Sequence, residues 1–293
     1  MSAPATTEKS TALFSPGIQF MMLASICFTI MQSIIKFLPQ FHVFQIVFFR
    51  CSITALFCLT YLGYYRIPLL AKNHNLLILR AIFGLVSMTL FFVTIQRMPF
   101  GASISLKYLS PVFTTIFAVL LLREKIGAWQ WLFLFMALAG VFLLKGFDSR
   151  IDLLTLLMGI TGALLAGLVY VIIRKIGNSD HPIVIVNYFM LSASLIMGLI
   201  MIPYWRSPNW QQGLLLLSTG VAGFFAQFFM TKALQAELAS KVTPIKYIEV
   251  VYSLLIGLIW FDETYNMLSL LGMALIIGGM LLNVFYKNIS RQT

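Results

Sequence analysis

The chain has 293 residues, of which 60% are hydrophobic and only 10% charged, and its mean hydropathy is +0.94. A soluble domain carries roughly a quarter charged residues, so the composition excludes an ordinary globular enzyme and predicts an all-α integral membrane protein. The formal net charge of +11 does not indicate nucleic acid, because the basic residues stand singly between apolar runs and form no patch.

A membrane span needs about 20 apolar residues. That ruler predicts ten, at 17–38, 43–63, 76–95, 100–122, 128–146, 153–173, 182–203, 211–232, 240–260 and 266–286. The connections are too short for a separate soluble domain. Met1 to Ser15 is polar and the first apolar run is too long for a signal-peptide core, so no signal peptide is expected. Cys27, Cys51 and Cys58 all lie inside apolar runs, which predicts neither a disulfide nor a metal site.

The stretch from Gly101 to Lys125 returns as Ser240 to Glu263. A gapless shift of about 139 residues lays Lys107-Tyr108 on Lys246-Tyr247, and it lays Glu124 on Glu263, Lys36 on Lys175 and His42 on His181. The same shift pairs Gln96 with Gln235, Gly84 with Gly223 and Gly140 with Gly279. Coincidences of charged residues are informative in so apolar a chain, and they indicate an internal duplication. The expected organisation is a tail over 1–16, a first repeat over 17–146, a linker over 147–152, a second repeat over 153–287 and a tail over 288–293. Five spans per repeat is an odd number, so the copies enter the membrane in opposite senses. The fold class is ten transmembrane helices as two inverted five-helix repeats.

With the N-terminus inside, the inner side carries Lys9, Arg66, Lys72, Arg123, Lys125, Arg174, Lys175, Lys232, Lys287 and Arg291. The outer side carries Lys36, Arg97, Lys145, Arg150 and Arg206. This bias places both termini in the cytoplasm of a cell bounded by the inner (cytoplasmic) membrane.

Leu79 to Gly84 (LRAIFG), Ser110 to Ala118 (SPVFTTIFA) and the acidic span ends at Glu124 and Glu263 resemble the drug/metabolite transporter superfamily. The resemblance is to its EamA-type members with two five-helix repeats, nearest the G-type branch of solute carrier family 35 and bacterial relatives. It runs over essentially the whole chain. It implies a carrier in which helices 3, 4, 8 and 9, with parts of 1, 2, 6 and 7, surround a central cavity, while helices 5 and 10 lie at the periphery. The superfamily carries amino acids, nucleotide sugars, sugar phosphates and other metabolites, so the resemblance leaves the substrate open.

An ionisable side chain inside a span costs several kcal/mol unless it meets water, a partner or a substrate. Lys107 lies about 10 Å into its span. Lys107 and Lys246 are therefore expected to reach one cavity from opposite halves and to attract an anionic group of the substrate; the plainer account is that each snorkels or is neutralised by a neighbour. Glu249, three residues after Lys246, is either its local partner or a carboxylate that carries a coupling proton. Lys107 has no acid within four residues in sequence. Arg50 suits a carboxylate or phosphate, or ties two helices together, and Arg80 reads as an interface anchor. Tyr108 and Tyr247, each beside a lysine, and the mid-span Gln227, Asn187 and Gln32 are expected to face inward. The phenylalanine pairs at 48–49, 91–92, 224–225 and 228–229 are expected chiefly against lipid or neighbouring helices. Pro111 and Pro244 mark bending points, and the paired glycines allow close helix packing.

No dinucleotide fingerprint, phosphate loop, HExxH or nucleophile–base constellation is present in the sequence. The expectation is no enzyme, no catalytic residue, no metal and no cofactor; an intramembrane enzyme or a channel fits less well. The reading is a secondary-active, alternating-access transporter of a small organic metabolite, anionic or zwitterionic, bearing carboxylate or phosphate. The alternative is an amino-acid or related metabolite exporter or importer with Lys107 and Lys246 structural. Besides substrate and lipid, a coupling proton or counter-anion and a second copy of the chain, as a homodimer, are the partners to consider.

Overall fold

The structure is a computed structural model that describes residues 15–69, 73–123, 127–176, 180–236 and 242–289. The expectations for Lys9, Lys72, Glu124, Lys125, Arg291 and most of the two tails fall outside these residues. The side chains of Lys145, Arg174, Gln235, Pro244 and Lys287 do so as well.

Eleven α-helices follow one another among the described residues: α1 (Pro16–Lys36), α2 (Val43–Tyr64), α3 (His74–Arg97), α4 (Phe100–Lys107), α5 (Ser110–Leu122), α6 (Ala128–Phe147), α7 (Leu153–Ile176), α8 (Pro182–Ile200), α9 (Trp210–Ala236), α10 (Ile248–Trp260) and α11 (Met267–Ile289). Eight stretches are long and apolar enough to cross a membrane, α4 and α5 counting together as Phe100–Leu121, and Ala128–Leu144 is a shorter apolar helix. The chain is an all-α, multi-pass membrane protein. The His42/His181 coincidence has a local cause, for each imidazole caps a helix. His42 Nδ1 accepts the Phe44 N–H at 3.4 Å at the start of α2, and His181 Nδ1 accepts that of Ile183 at 3.3 Å at the start of α8.

Two expected spans differ from a continuous helix. The span 100–122 breaks between Lys107 and Ser110, and the span 240–260 opens with a 3-10 turn over Thr243–Tyr247 before α10 begins. Proline accounts for the first. Pro111 lacks an N–H, and its ring clashes with the carbonyl four residues back, which is that of Lys107, where α4 ends. Pro244 sits in the first turn of the 3-10 segment.

The helices of the two halves interlock. α1 packs on α9, α3 on α7, α2 on α8 and α9, and α4 on α10. α6 and α11 pack chiefly on each other at the side. Their glycines bring backbone against backbone: a Cβ on Gly140 would stand 2.5 Å from the Gly272 carbonyl, and one on Gly279 would stand 2.6 Å from that of Phe133.

One end of the bundle is tied by buried polar contacts. Lys36, counted from sequence among the basic residues of the outer side, has a side chain only 12% exposed that pairs with Glu263 at 2.7 Å. Its ammonium also donates to the carbonyls of Met98 (2.8 Å) and Ile95 (3.4 Å). Glu263 accepts the Phe100 N–H at 2.8 Å, and Gln96 donates to the carbonyls of Leu38 and Phe41, each at 3.1 Å. At the same end Arg150 pairs with Asp148 at 2.8 Å and donates to the Thr264 carbonyl. Burial works to raise the Asp148 carboxyl, but the Arg150 hydrogen bonds outweigh it and hold Asp148 below the usual carboxylate range.

The glycine contacts give a stability test. Gly140→Val is expected to lower the melting temperature of the detergent-purified protein by several degrees, because no rotamer relieves a clash with backbone. Gly63→Ala, where a Cβ meets nothing within 4 Å, leaves it unchanged or slightly raised.

Candidate substrate-binding site at the helix breaks

Both helix breaks fall at the repeated Lys-Tyr pair. Lys107 is the last residue of α4 and Lys246 lies in the 3-10 turn before α10. Their ammonium groups converge on one ring, Lys107 Nζ at 5.2 Å and Lys246 Nζ at 5.0 Å from the centroid of Phe28 on α1. Tyr108 and Tyr247 lie ring against ring, with centroids 4.7 Å apart. The Tyr108 hydroxyl donates to the Lys246 carbonyl at 2.6 Å, meeting an acceptor that the broken helix leaves open.

Glu249 is completely buried. The sequence offered Lys246 as its partner. The structure pairs it with Lys107 instead, Nζ to Oε2 at 3.0 Å, across 142 positions of chain. The reason is the break: Glu249 is in the first turn of α10 while Lys246 precedes the helix, so the two do not share a helix face. Gln32 Nε2 also donates to Oε2 at 3.4 Å, and Glu249 Oε1 has no partner. Lys246, for its part, touches the Met230 sulfur at 3.6 Å.

Arg50 adjoins this group. It is 5% exposed, and its guanidinium meets sulfur: Met31 at 3.4 Å, Met190 at 3.8 Å and Met88. The Phe92 ring lies 5.7 Å away. Met31 neighbours Gln32 on α1, so the arginine and Glu249 are served by consecutive residues. A Cβ on Gly223 would stand 3.6 Å from Arg50 Nε and 3.7 Å from Thr54 Oγ1, so the bare glycine keeps α9 close to this face of α2. Asn187 is buried on α8, one turn from Met190, with its Oδ1 unpartnered.

Gln227 stands apart from the lysines. It lines a cavity of about 80 Å³ between α2, α8 and α9, together with Thr54, Cys58, Tyr61, Thr231 and Lys232. Thr54, Cys58 and Tyr61 continue the face of α2 that carries Arg50, at helical spacing. The cavity thus lies at the end of the bundle opposite the Lys36–Glu263 contact. Phe224 and Phe228 also line its wall, while Phe225 is 42% exposed.

Arg80 corrects another expectation. It is no interface anchor: it is 9% exposed and lies 4.1 Å over the Phe189 ring, with Nε and Nη1 lacking any partner. α3 begins at His74, which puts Arg80 nearly two turns inside the helix. The thioethers around Arg50 and Lys246, and Phe28 beneath both lysines, were missed. The only available signal was the count of 15 methionines. Among the described residues no group of three His, Cys, Asp or Glu is placed to hold a metal.

Broken helices with partly buried cations at the break are the architecture of a membrane carrier. The sequence profile of the EamA-like transporter family matches residues 15–145 and 153–285, and the chain belongs to that family, within the drug/metabolite transporter superfamily. It is 28% identical over 271 residues to the pseudopaline exporter CntI of Pseudomonas aeruginosa, covering 90% of this chain and 94% of that one. It is 29% identical over 267 residues to solute carrier family 35 member G1 of Mus musculus, covering 84% and 72%. A crystal structure 17% identical to it superposes with a TM-score of 0.65 over 94% of this chain and 98% of that one, which shows the fold. The protein is a metabolite transporter and not an enzyme.

The Lys107–Glu249 contact predicts strong non-additivity. Lys107→Met leaves an unpaired buried carboxylate and is expected to cost about 3–5 kcal/mol, read as a fall in thermal stability. The double variant Lys107→Met/Glu249→Gln recovers most of that loss. Additive single effects would deny the pairing.

Proposed function

We propose that the chain is a secondary-active, alternating-access transporter of a small organic anion or zwitterion bearing carboxylate or phosphate. We place it in the inner (cytoplasmic) membrane with both termini in the cytoplasm. The observation that carries this reading is the convergence of Lys107 and Lys246 on Phe28, with Arg50 against Met31 one turn along α1, in a group whose single carboxylate among the described residues is Glu249. Positive charge in surplus inside a membrane protein is stabilised by an anion that enters and leaves. Tyr108, Tyr247 and Asn187 supply hydrogen-bonding groups around it, and Gln227 stands in the cavity that leads toward Arg50. The printed names of the relatives, an exporter and a solute carrier, support transport and leave direction open.

The two ends of the bundle differ in the way alternating access requires. Lys36 and Glu263 close one end, and the cavity lies at the other. In the repeat register Lys36 corresponds to Lys175, which is exposed. We read this conformation as closed at the Lys36 end, the outer one by the charge bias. Glu249 is the candidate for a coupling proton: when a substrate anion takes over Lys107, the carboxylate loses its counter-charge and protonation is the cheaper state. A counter-anion in exchange satisfies the same balance.

The second reading, an amino-acid or related metabolite exporter or importer with structural lysines, draws on the Lys107–Glu249 pair, which needs no substrate. Thermal-shift measurements on purified protein separate the two. Anionic metabolites are expected to raise the melting temperature, and the effect is lost in Lys246→Ala. Stabilisation by zwitterionic amino acids that persists in both Lys107→Ala and Lys246→Ala would favour the second reading.

The closed end is testable by labelling. Leu38 is fully buried beneath the Gln96 contact. With the three native cysteines replaced, Leu38→Cys is expected to react slowly with a membrane-impermeant maleimide. Adding Glu263→Gln raises the rate several-fold; an unchanged rate would speak against the ion pair as a latch.

A further inference from the structure

Resting on the anion reading above, we infer that the cargo carries two negative groups, held separately by Lys246 and Arg50, and that its chemical class is a short dicarboxylate. The partners of each cation carry the inference. Lys107 already has a carboxylate oxygen at 3.0 Å. Lys246 has, among the described residues, a thioether at 3.6 Å and an aromatic face at 5.0 Å. Arg50, 5% exposed, has three thioethers and a ring. Thioether sulfur is a weak acceptor, and a guanidinium has five N–H donors in a fork that suits a carboxylate. Among the described residues, Lys246 and Arg50 are thus left with neither a counter-charge nor an oxygen acceptor. A monoanion satisfies one and strands the other at a cost of several kcal/mol. A zwitterion of like length brings a further ammonium toward a carboxylate that is already engaged.

The spacing follows from α1. Lys246 stands over Phe28 and Arg50 against Met31, three positions apart, which is about 4.5 Å along the helix axis. Both cations therefore border the same turn of α1, which suits two carboxylates carried on one short chain. Phe28, Phe91 and the methionines offer an apolar, polarizable wall to such a spacer. Arg80, over Phe189 beside Met190, is a further cation near Arg50, but among the described residues no contact ties it to Phe28 or Lys246.

The test uses the full-length purified protein and three probes of equal chain length: succinate with two carboxylates, butyrate with one, and 4-aminobutyrate with opposite charges. Binding is read by thermal shift and by competition in proteoliposome uptake at pH 7.5. Succinate is expected to half-saturate at a concentration at least tenfold below either of the others. Lys246→Met and Arg50→Met each bring succinate to within about threefold of butyrate. Arg50→Lys keeps the preference with weaker binding, and Lys246→Met, on a half-exposed turn, serves if Arg50→Met does not fold. Equal binding of succinate and butyrate that is still lost in Lys246→Ala would overturn the inference and leave the anion reading standing. So would a succinate preference that survives both single substitutions. Absence of any response to carboxylates would overturn the inference, and absence of a response to organic phosphates as well would overturn both.

Discussion

A polar group inside a bilayer has no water to fall back on, and this constraint governs the whole site. Backbone groups are satisfied within helices, and charged side chains must find partners or substrate. The chain meets the first demand almost everywhere, then gives it up at two related places, Lys107–Ser110 and Thr243–Tyr247. There the interrupted backbone needs partners of its own. The Tyr108 hydroxyl bonded to the Lys246 carbonyl shows the two breaks supplying one another. The cations therefore sit where the backbone is least regular, at the contact between the two halves of the chain.

The same constraint explains how the charges are distributed. At one end Lys36 and Glu263 are enclosed by backbone donors and acceptors from several loops, so neither charge is left without a partner. In the middle the arrangement is deliberately incomplete by comparison. Lys107 has Glu249, but among the described residues Glu249 Oε1, Gln32 Oε1 and Asn187 Oδ1 have no partner, and Arg50 rests against sulfur. A fully paired cluster would hold the bundle together and carry nothing. Soft contacts of this kind are given up at small cost when an oxygen anion arrives.

Much of the fold was legible because composition and period speak directly to a membrane: apolar runs of span length, and charged residues recurring at one register. The Lys-Tyr pairs stood out for the same reason. What the sequence did not yield was partnership. Glu249 lies three residues from Lys246 and far along the chain from Lys107, so local spacing named the wrong lysine. The correct pairing depends on where α10 starts, and that depends on the 3-10 turn before it. Arg80 was misplaced because α3 begins a little earlier than the hydropathy suggests, which carries the arginine under Phe189. The methionine shell was illegible because a thioether beside a cation leaves no periodic mark in an apolar helix. Gln227 and Asn187 were expected to avoid hydrocarbon, but sequence alone did not separate the cavity wall from the cation cluster.

The break of symmetry at Glu249 has a mechanical consequence. The repeat register sets Glu249 opposite Ser110, so only one of the two halves carries an acid at this level. Two equivalent lysines would attract an anion equally and give it no order of engagement. With one lysine already neutralised, an arriving anion would, on the proposed reading, meet Lys246 and Arg50 first and reach Lys107 only by displacing Glu249. Displacement leaves a buried carboxylate without its counter-charge, a state that protonation or a return of the original pair relieves. On the proposed alternating-access reading, the single unduplicated carboxylate would make the loaded and empty states electrostatically different, which is the condition for substrate to bias one conformation over the other.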